Sequence, residues 1–478
     1  MRVTWVIPCI GGALTTAWVL FVAGPRPGLT PDAMSYLGAA ESLVHQGSLR
    51  EPFAPWNAPD STTPLADYPA GFSLVLAPPI AAGVPGPSAA RWVEALSVGG
   101  AVAVASALVG SVAGEFGALV TVVLLALMPA LVDVSFMVVS EPLFLLLLSL
   151  TIAGMVRRPE RPELSGLAAA GANLVRYAGV FLVAGAALWQ VLQPGTWRSR
   201  LRQLAIAVLP GVLVHLYWSV EGIVPGGGVS AGVYTGWPEA LSEAWSTGTS
   251  WLAPGLHGWV AAAIAIVLLG LIATAWFRGG RMVAAAGLLA LLYVGTLMFT
   301  KTFVIADLPF DFRMLLPLCF LLAIGTAPNL VPKSGRGRVA AALVVTVWGV
   351  MAVTRDIREI HRTRIGGVDY ETVEWQESAV AAWLRGPGQG MVLYTNDPAG
   401  IWFTAGRPSR LLPNSGAPDS VRAFQARFSA QPSALVGFEE TFSLESVSAD
   451  SLAAALHLKS VATFSRGVVW VSARSLGR

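Results

Sequence analysis

Charge is scarce in this chain. Of 478 residues, only 31 are Lys or Arg and 28 are Asp or Glu, or 12 % against about 25 % in an ordinary soluble domain. So little polar surface excludes a soluble enzyme of this length, and the high apolar content excludes intrinsic disorder. Cysteine is nearly absent. Cys9 and Cys319 both lie in apolar runs and form no disulfide framework. The five histidines, His45, His215, His257, His361 and His457, show no metal-ligand spacing. No GxxxxGK[ST] or GxGxxG follows a strand-like run, which leaves no nucleotide-binding loop. The net charge of +3 is small and scattered, so nucleic acid is not a partner.

Apolar residues, by contrast, make up 54 % of the chain, and the mean hydropathy is +0.63. The few charges are unevenly placed: 25 of the 59 fall in residues 355–478. The chain therefore divides into an all-α polytopic membrane domain, 1–354, and a small C-terminal α/β domain, 355–478. Apolar runs at 3–22, 90–113, 116–132, 141–156, 164–175, 177–192, 204–224, 258–277, 281–299, 312–329 and 338–354 predict about 11 transmembrane helices. The short pair 164–175 and 177–192 predicts a helical hairpin with Arg176 and Tyr177 at its tip. In the tail, 390–396 and 467–473 alternate like strands, and 372–385, 418–430 and 449–457 have a helical period.

Short loops rich in Lys and Arg stay in the cytoplasm. RRPER (157–161), WRSRLR (197–202), RGGR (278–281) and KSGRGR (333–338) are four such loops. Holding all four inside gives an inside N-terminus and an outside tail, with 68–80 interfacial or re-entrant. The basic stretch 355–364 then lies outside, where lipid phosphates can pair with it. The longest outer loop is 23–89. Within it, DAMSYLGAAESLVHQG (32–47) predicts a short surface helix, with Asp32 at its start and Gly47 as its stop.

With this topology, Asp32, Asp67, Glu141, Arg176, Asp307, Asp311 and Arg313 all fall in outer loops or at outer span ends. Charges at membrane depth are costly and tend to be functional. Several stretches then carry a family resemblance: PDAMSYLGAAESLVHQGSL (31–49), DYPAGFSLVLAP (67–78), SEPLFLLLLSL (140–150), LVRYAG (174–179), FRMLLPL (312–318) and YTNDPAGIWFTAGR (394–407). As a set they resemble the GT-C superfamily of integral-membrane glycosyltransferases, in particular the bacterial relatives of protein mannosyltransferases and aminoarabinose transferases. Two departures stand out. Ala33 follows Asp32 where many relatives carry a second acid, and residues 69–71 read Pro-Ala-Gly rather than a double proline.

The resemblance implies a GT-C-like fold in a bacterial inner membrane. It implies inverting transfer of a sugar from a polyprenyl-phosphate-linked donor to an envelope lipid, glycan or protein at the outer face. Asp32 would be the base, with Tyr36, Asp67, Tyr68, Glu141, Arg176, Tyr177 and Arg313 around the substrate. A divalent metal is the one cofactor left open, and no ligand set is assigned to it. The chemistry agrees: an acceptor hydroxyl needs a carboxylate in hydrogen-bond reach, and a leaving phosphate needs fixed positive charge, which Arg supplies through a planar fork.

Each residue also has a plain structural use. Asp32 would cap its helix; Glu141 would suit a helix dipole; Arg176 would snorkel to headgroups; Arg313 would pair with Asp311. Tyr36, Tyr68, Trp56, Trp237, Trp245 and Trp251 would form an aromatic interface belt. The alternative function is a transporter or flippase for a lipid-linked sugar, and a third is an inactive scaffold for envelope assembly.

Overall fold

The structure, a computed structural model, describes residues 5–66, 68–220, 236–277, 279–305, 308–331, 334–439, 447–464 and 466–472. Asp67 and Asp307 lie outside the described residues. Two compact units interleave along the chain: Met1–Gly24, Ala66–Phe72 and Ala90–Arg362 form one, and Pro25–Leu65, Ser73–Ala89 and Thr363–Arg478 the other.

The first unit is helical. Six described helices are long and apolar enough to cross a membrane: Val6–Ala23, Gly86–Ala126, Trp197–Val220, Arg281–Phe303, Phe312–Asn329 and Gly335–Gly366. Shorter apolar helices at Gly71–Ala81, Tyr177–Leu192 and Gly258–Thr274 accompany them. Helix 86–126 breaks at Gly114, whose φ of 77° is a left-handed conformation that favours glycine. The break falls between the two apolar runs read from sequence. The second run ends earlier than 132, because Pro129 opens a separate short helix, Pro129–Val134.

The hairpin is present as Pro162–Val175 and Val180–Leu192, joined through Arg176 and a 3₁₀ turn at Tyr177–Gly179. The basic stretch 355–364 is not a loop. It continues helix 335–366, with Asp356 and Ile360 on a buried face. Arg355 pairs with both Asp133 (2.6 Å) and Asp356 (3.2 Å), which holds this part of the helix in place.

Gly71 begins helix Gly71–Ala81 against the end of helix 162–175. A Cβ built there would stand 2.6 Å from the Leu174 carbonyl oxygen, a backbone atom that cannot swing aside. Gly71→Ala is therefore expected to destabilise the fold by about 1–3 kcal/mol through overpacking. The check is a lowered melting temperature in detergent.

The second unit is α/β. Its strands are β1 (Arg50–Glu51), β2 (Phe53–Ala54), β3 (Thr63–Pro64), β4 (Val392–Thr395), β5 (Ser409–Leu411), β6 (Ser433–Phe438), β7 (Lys459–Phe464) and β8 (Gly467–Val471). β1 pairs antiparallel with β3. The main sheet runs β2-β5-β4-β6-β8-β7. Its first four strands are parallel, and β8 and β7 pair antiparallel. Every residue of β6 is buried, as suits an inner strand. Tyr394, Leu412, Phe424, Phe428, Leu435 and Leu452 form the core on one face.

Residues of the long first loop join this sheet through β2, and Arg410 reinforces the join by donating to the carbonyls of Ala58 and Pro59. Trp56 is half-buried and packs edge-on against Phe424 of that core at 5.9 Å. Trp251, in the first unit, is buried.

Candidate active site

In the second unit, helix Pro31–Gln46 starts at Thr30, whose hydroxyl accepts the Ala33 N–H at 3.2 Å. Pro31 takes the first helical position, where its missing N–H costs nothing. Gly47 closes the helix with φ 72° and donates to the Leu43 carbonyl. Asp32 is the second helical residue and half-buried; Tyr36, one turn on, is buried. The capping role open to Asp32 is thus filled by Thr30. Asp32 stands in the first turn of that helix.

In the first unit, three helix ends bring Glu141, Arg176 and Arg313 together. Glu141 opens helix Glu141–Arg157, with Pro142 fixing its first turn. Arg176 follows the last residue of helix 162–175 and turns the hairpin in extended conformation (φ −145°, ψ 136°). Arg313 lies in the first turn of helix Phe312–Leu330, which Asp311 caps by accepting the N–H groups of Arg313 and Met314, each at 3.0 Å. With Asp311 so engaged, the Arg313 guanidinium turns to Glu141. Its Nε stands 2.8 Å from Oε1, and Arg176 Nη1 reaches the same oxygen at 2.7 Å. The Glu141 side chain is 1 % exposed, and those of Arg176 and Arg313 are 16 % and 18 % exposed. Burial pushes the Asp311 carboxyl up, against the backbone N–H groups it accepts and the nearby Arg313 charge.

Two guanidinium groups thus share one carboxylate oxygen. The neighbours hold them in place. Ser140 Oγ accepts from Arg176 Nη1 at 3.3 Å. The Tyr293 hydroxyl donates to the Met314 carbonyl, pinning the first turn that carries Arg313, and its ring lies 4.9 Å from Phe181. Tyr177 donates to the Ala66 carbonyl at 3.0 Å, two residues before the half-buried Tyr68. The Tyr177 ring meets Trp218 edge-on at 5.0 Å.

Ser140, Tyr293 and Trp218 were not signalled by the sequence. Only the place of Ser140 beside Glu141 hinted at it, and no charge marks the other two. Among the described residues, no group of three or more His, Cys, Asp or Glu side chains could hold a metal ion.

A bundle of apolar helices accompanied by a small α/β unit is a GT-C-like fold. A sequence profile for the dolichyl-phosphate-mannose-protein mannosyltransferase family matches residues 65–218, a stretch that includes Tyr68, Glu141, Arg176 and Tyr177. The structure resembles ArnT from Cupriavidus metallidurans bound to undecaprenyl phosphate, with a TM-score of 0.64 at 15 % identity over 100 % of this chain and 99 % of that one. It also resembles the arabinofuranosyltransferase AftD from Mycobacteria, with a TM-score of 0.60 at 16 % identity over 98 % of this chain and 40 % of that one. The oligosaccharyltransferase of Archaeoglobus fulgidus is a more distant match, with a TM-score of 0.51 at 12 % identity over 90 % of this chain and 68 % of that one. No curated protein matches the sequence.

Proposed function

We propose that this protein is a membrane glycosyltransferase that takes its sugar from a polyprenyl-phosphate-linked donor. The observation that carries the proposal is the convergence of Arg176 and Arg313 on Glu141, within a fold shared with a protein solved with undecaprenyl phosphate. A guanidinium pair of this kind suits a phosphate leaving group, whose charge grows as the bond to the sugar breaks.

In the reaction, the acceptor hydroxyl attacks the anomeric carbon. The carbon–oxygen bond to the lipid phosphate breaks, the polyprenyl phosphate leaves with the bonding pair, and Asp32 takes the hydroxyl proton. One displacement inverts the anomeric centre. Glu141 keeps the two arginines together between turnovers; Tyr36, Tyr68 and Tyr177 line the substrate. The acceptor is an envelope lipid, glycan or protein.

The test uses purified full-length protein with labelled polyprenyl-phosphate sugars. Transfer to acceptor, or slow hydrolysis of the donor, supports the enzyme. Exchange of the donor between leaflets without bond cleavage supports the flippase instead.

The topology that goes with this function puts both the tail and the reaction at the outer face. It rests on the four short basic stretches read from the sequence, which, held inside, give an odd number of crossings. A reporter fused after residue 478 is expected to be active only in the outer compartment. Cytoplasmic activity would mean that one span has been miscounted and would move the reaction to the other face.

A further inference from the structure

We propose that Glu94 is a positioning residue for the arginine pair, acting as a fixed hydrogen-bond acceptor beneath Ser140 and Glu141; this rests on the glycosyltransferase function proposed above. Glu94 lies on helix Gly86–Ala126 and is 1 % exposed. An acid so deeply buried on a membrane helix is costly and calls for a use. One of its oxygens accepts the N–H of Val139 at 2.7 Å. Val139 belongs to the short connection between helix Pro129–Val134 and helix Glu141–Arg157, and it is itself fully buried.

The chain of contacts is short and continuous. The residue after Val139 is Ser140, which accepts from Arg176. The next is Glu141, which holds both Arg176 and Arg313. Glu94 thus anchors to helix 86–126 the strip of backbone on which the whole cluster is built. The first N–H groups of this connection bond back into helix Pro129–Val134 and the Val139 N–H goes to Glu94, so a displacement of that amide carries Ser140 and Glu141 with it. A misplacement of about an ångström in such a shell is enough to cost a large part of a site's effect. The acceptor does the work, so an amide oxygen in the same place serves as well as a carboxylate.

The experiment measures the Kd for undecaprenyl phosphate and the donor kinetics of full-length protein in detergent. Glu94→Gln keeps an acceptor oxygen and is expected to stay within about twofold of wild type. Glu94→Met removes the acceptor at similar size and is expected to raise Kd and the donor KM by about tenfold or more. In a double-mutant cycle, adding Glu94→Met to Arg313→Lys should weaken binding by no more than about a further twofold, because both changes act on one cluster.

A merely structural role lowers the melting temperature but leaves Kd unchanged in the folded variant, and that result overturns the proposal. So does a Glu94→Gln as weak as Glu94→Met, since charge rather than the acceptor would then be needed. If Glu94→Met does not fold, Glu94→Asp, which draws the acceptor back by one methylene, takes its place with the same expected rise in Kd. Wild-type protein that binds no polyprenyl phosphate sinks the glycosyltransferase reading; a wild type that binds, beside a Glu94→Met or Glu94→Asp that binds equally well, sinks only the role of Glu94.

Discussion

Asp32→Asn is expected to leave the protein folded and to lower turnover by about 10²–10⁴-fold. The substitution keeps size and shape and removes only the basic oxygen, so it falls on the step in which the acceptor gives up its proton. The cost in stability should be small. The cap of helix Pro31–Gln46 belongs to Thr30, and a lost charge–dipole contact in a first turn costs about 0.3–1 kcal/mol. Thr30→Ala is the matched control. It removes the cap hydrogen bond and should destabilise by about 1 kcal/mol, with little change in turnover. Melting temperature and turnover, measured on the same two preparations, separate a cap from a base. Near-normal turnover in Asp32→Asn would move the base elsewhere.

The spans and the hairpin were legible because a helix in a bilayer must present a long apolar run, which composition alone reveals. Gly114 shows how fine this reading can be: the sequence divides two runs there, and the backbone breaks at that residue. The tail helix 418–430 was legible from its period, and it forms as Pro418–Ala430. Strand β2 was not. It is two residues long, carries no alternation, and exists only because β5, more than 350 residues later, offers it a partner.

Partners of charges were the least legible feature. Arg313 sits two residues from Asp311, which offered a local pair as its plain structural use. Asp311 instead spends its oxygen on two backbone N–H groups, and the guanidinium goes to Glu141, 172 residues away. Nothing in the local sequence marks Glu94, because its bond to Val139 crosses 45 residues. Local pattern encodes which segments are helical; which helix ends meet is decided by packing.

Replacing either arginine should produce the other large effect. Arg176→Lys and Arg313→Lys are each expected to weaken transfer by about tenfold or more, since one charge-assisted contact is worth roughly 1.5–3 kcal/mol. Lysine keeps the charge but not the fork. Arg176 uses one nitrogen for both Glu141 and Ser140, while Arg313 reaches Glu141 through its Nε; a single ammonium on a flexible stem cannot reproduce either arrangement and still face a phosphate with a second edge. Glutamine at either site should be worse, because the buried Glu141 then keeps only one cation, and a buried carboxylate with too little compensation is itself destabilising. Glu141→Gln acts in the opposite sense: it leaves two guanidinium groups close together with no acid to share, so they repel and separate. If the cluster served only to pin three helix ends, all of these variants would lower the melting temperature while the folded fraction kept wild-type affinity for polyprenyl phosphate. If it holds the leaving group, the lysine variants should lose affinity and turnover at nearly unchanged melting temperature, and affinity should fall as salt rises in the wild type and in the lysine variants, which keep the charge, but not in a protein with glutamine at both sites, where little electrostatic attraction is left to screen.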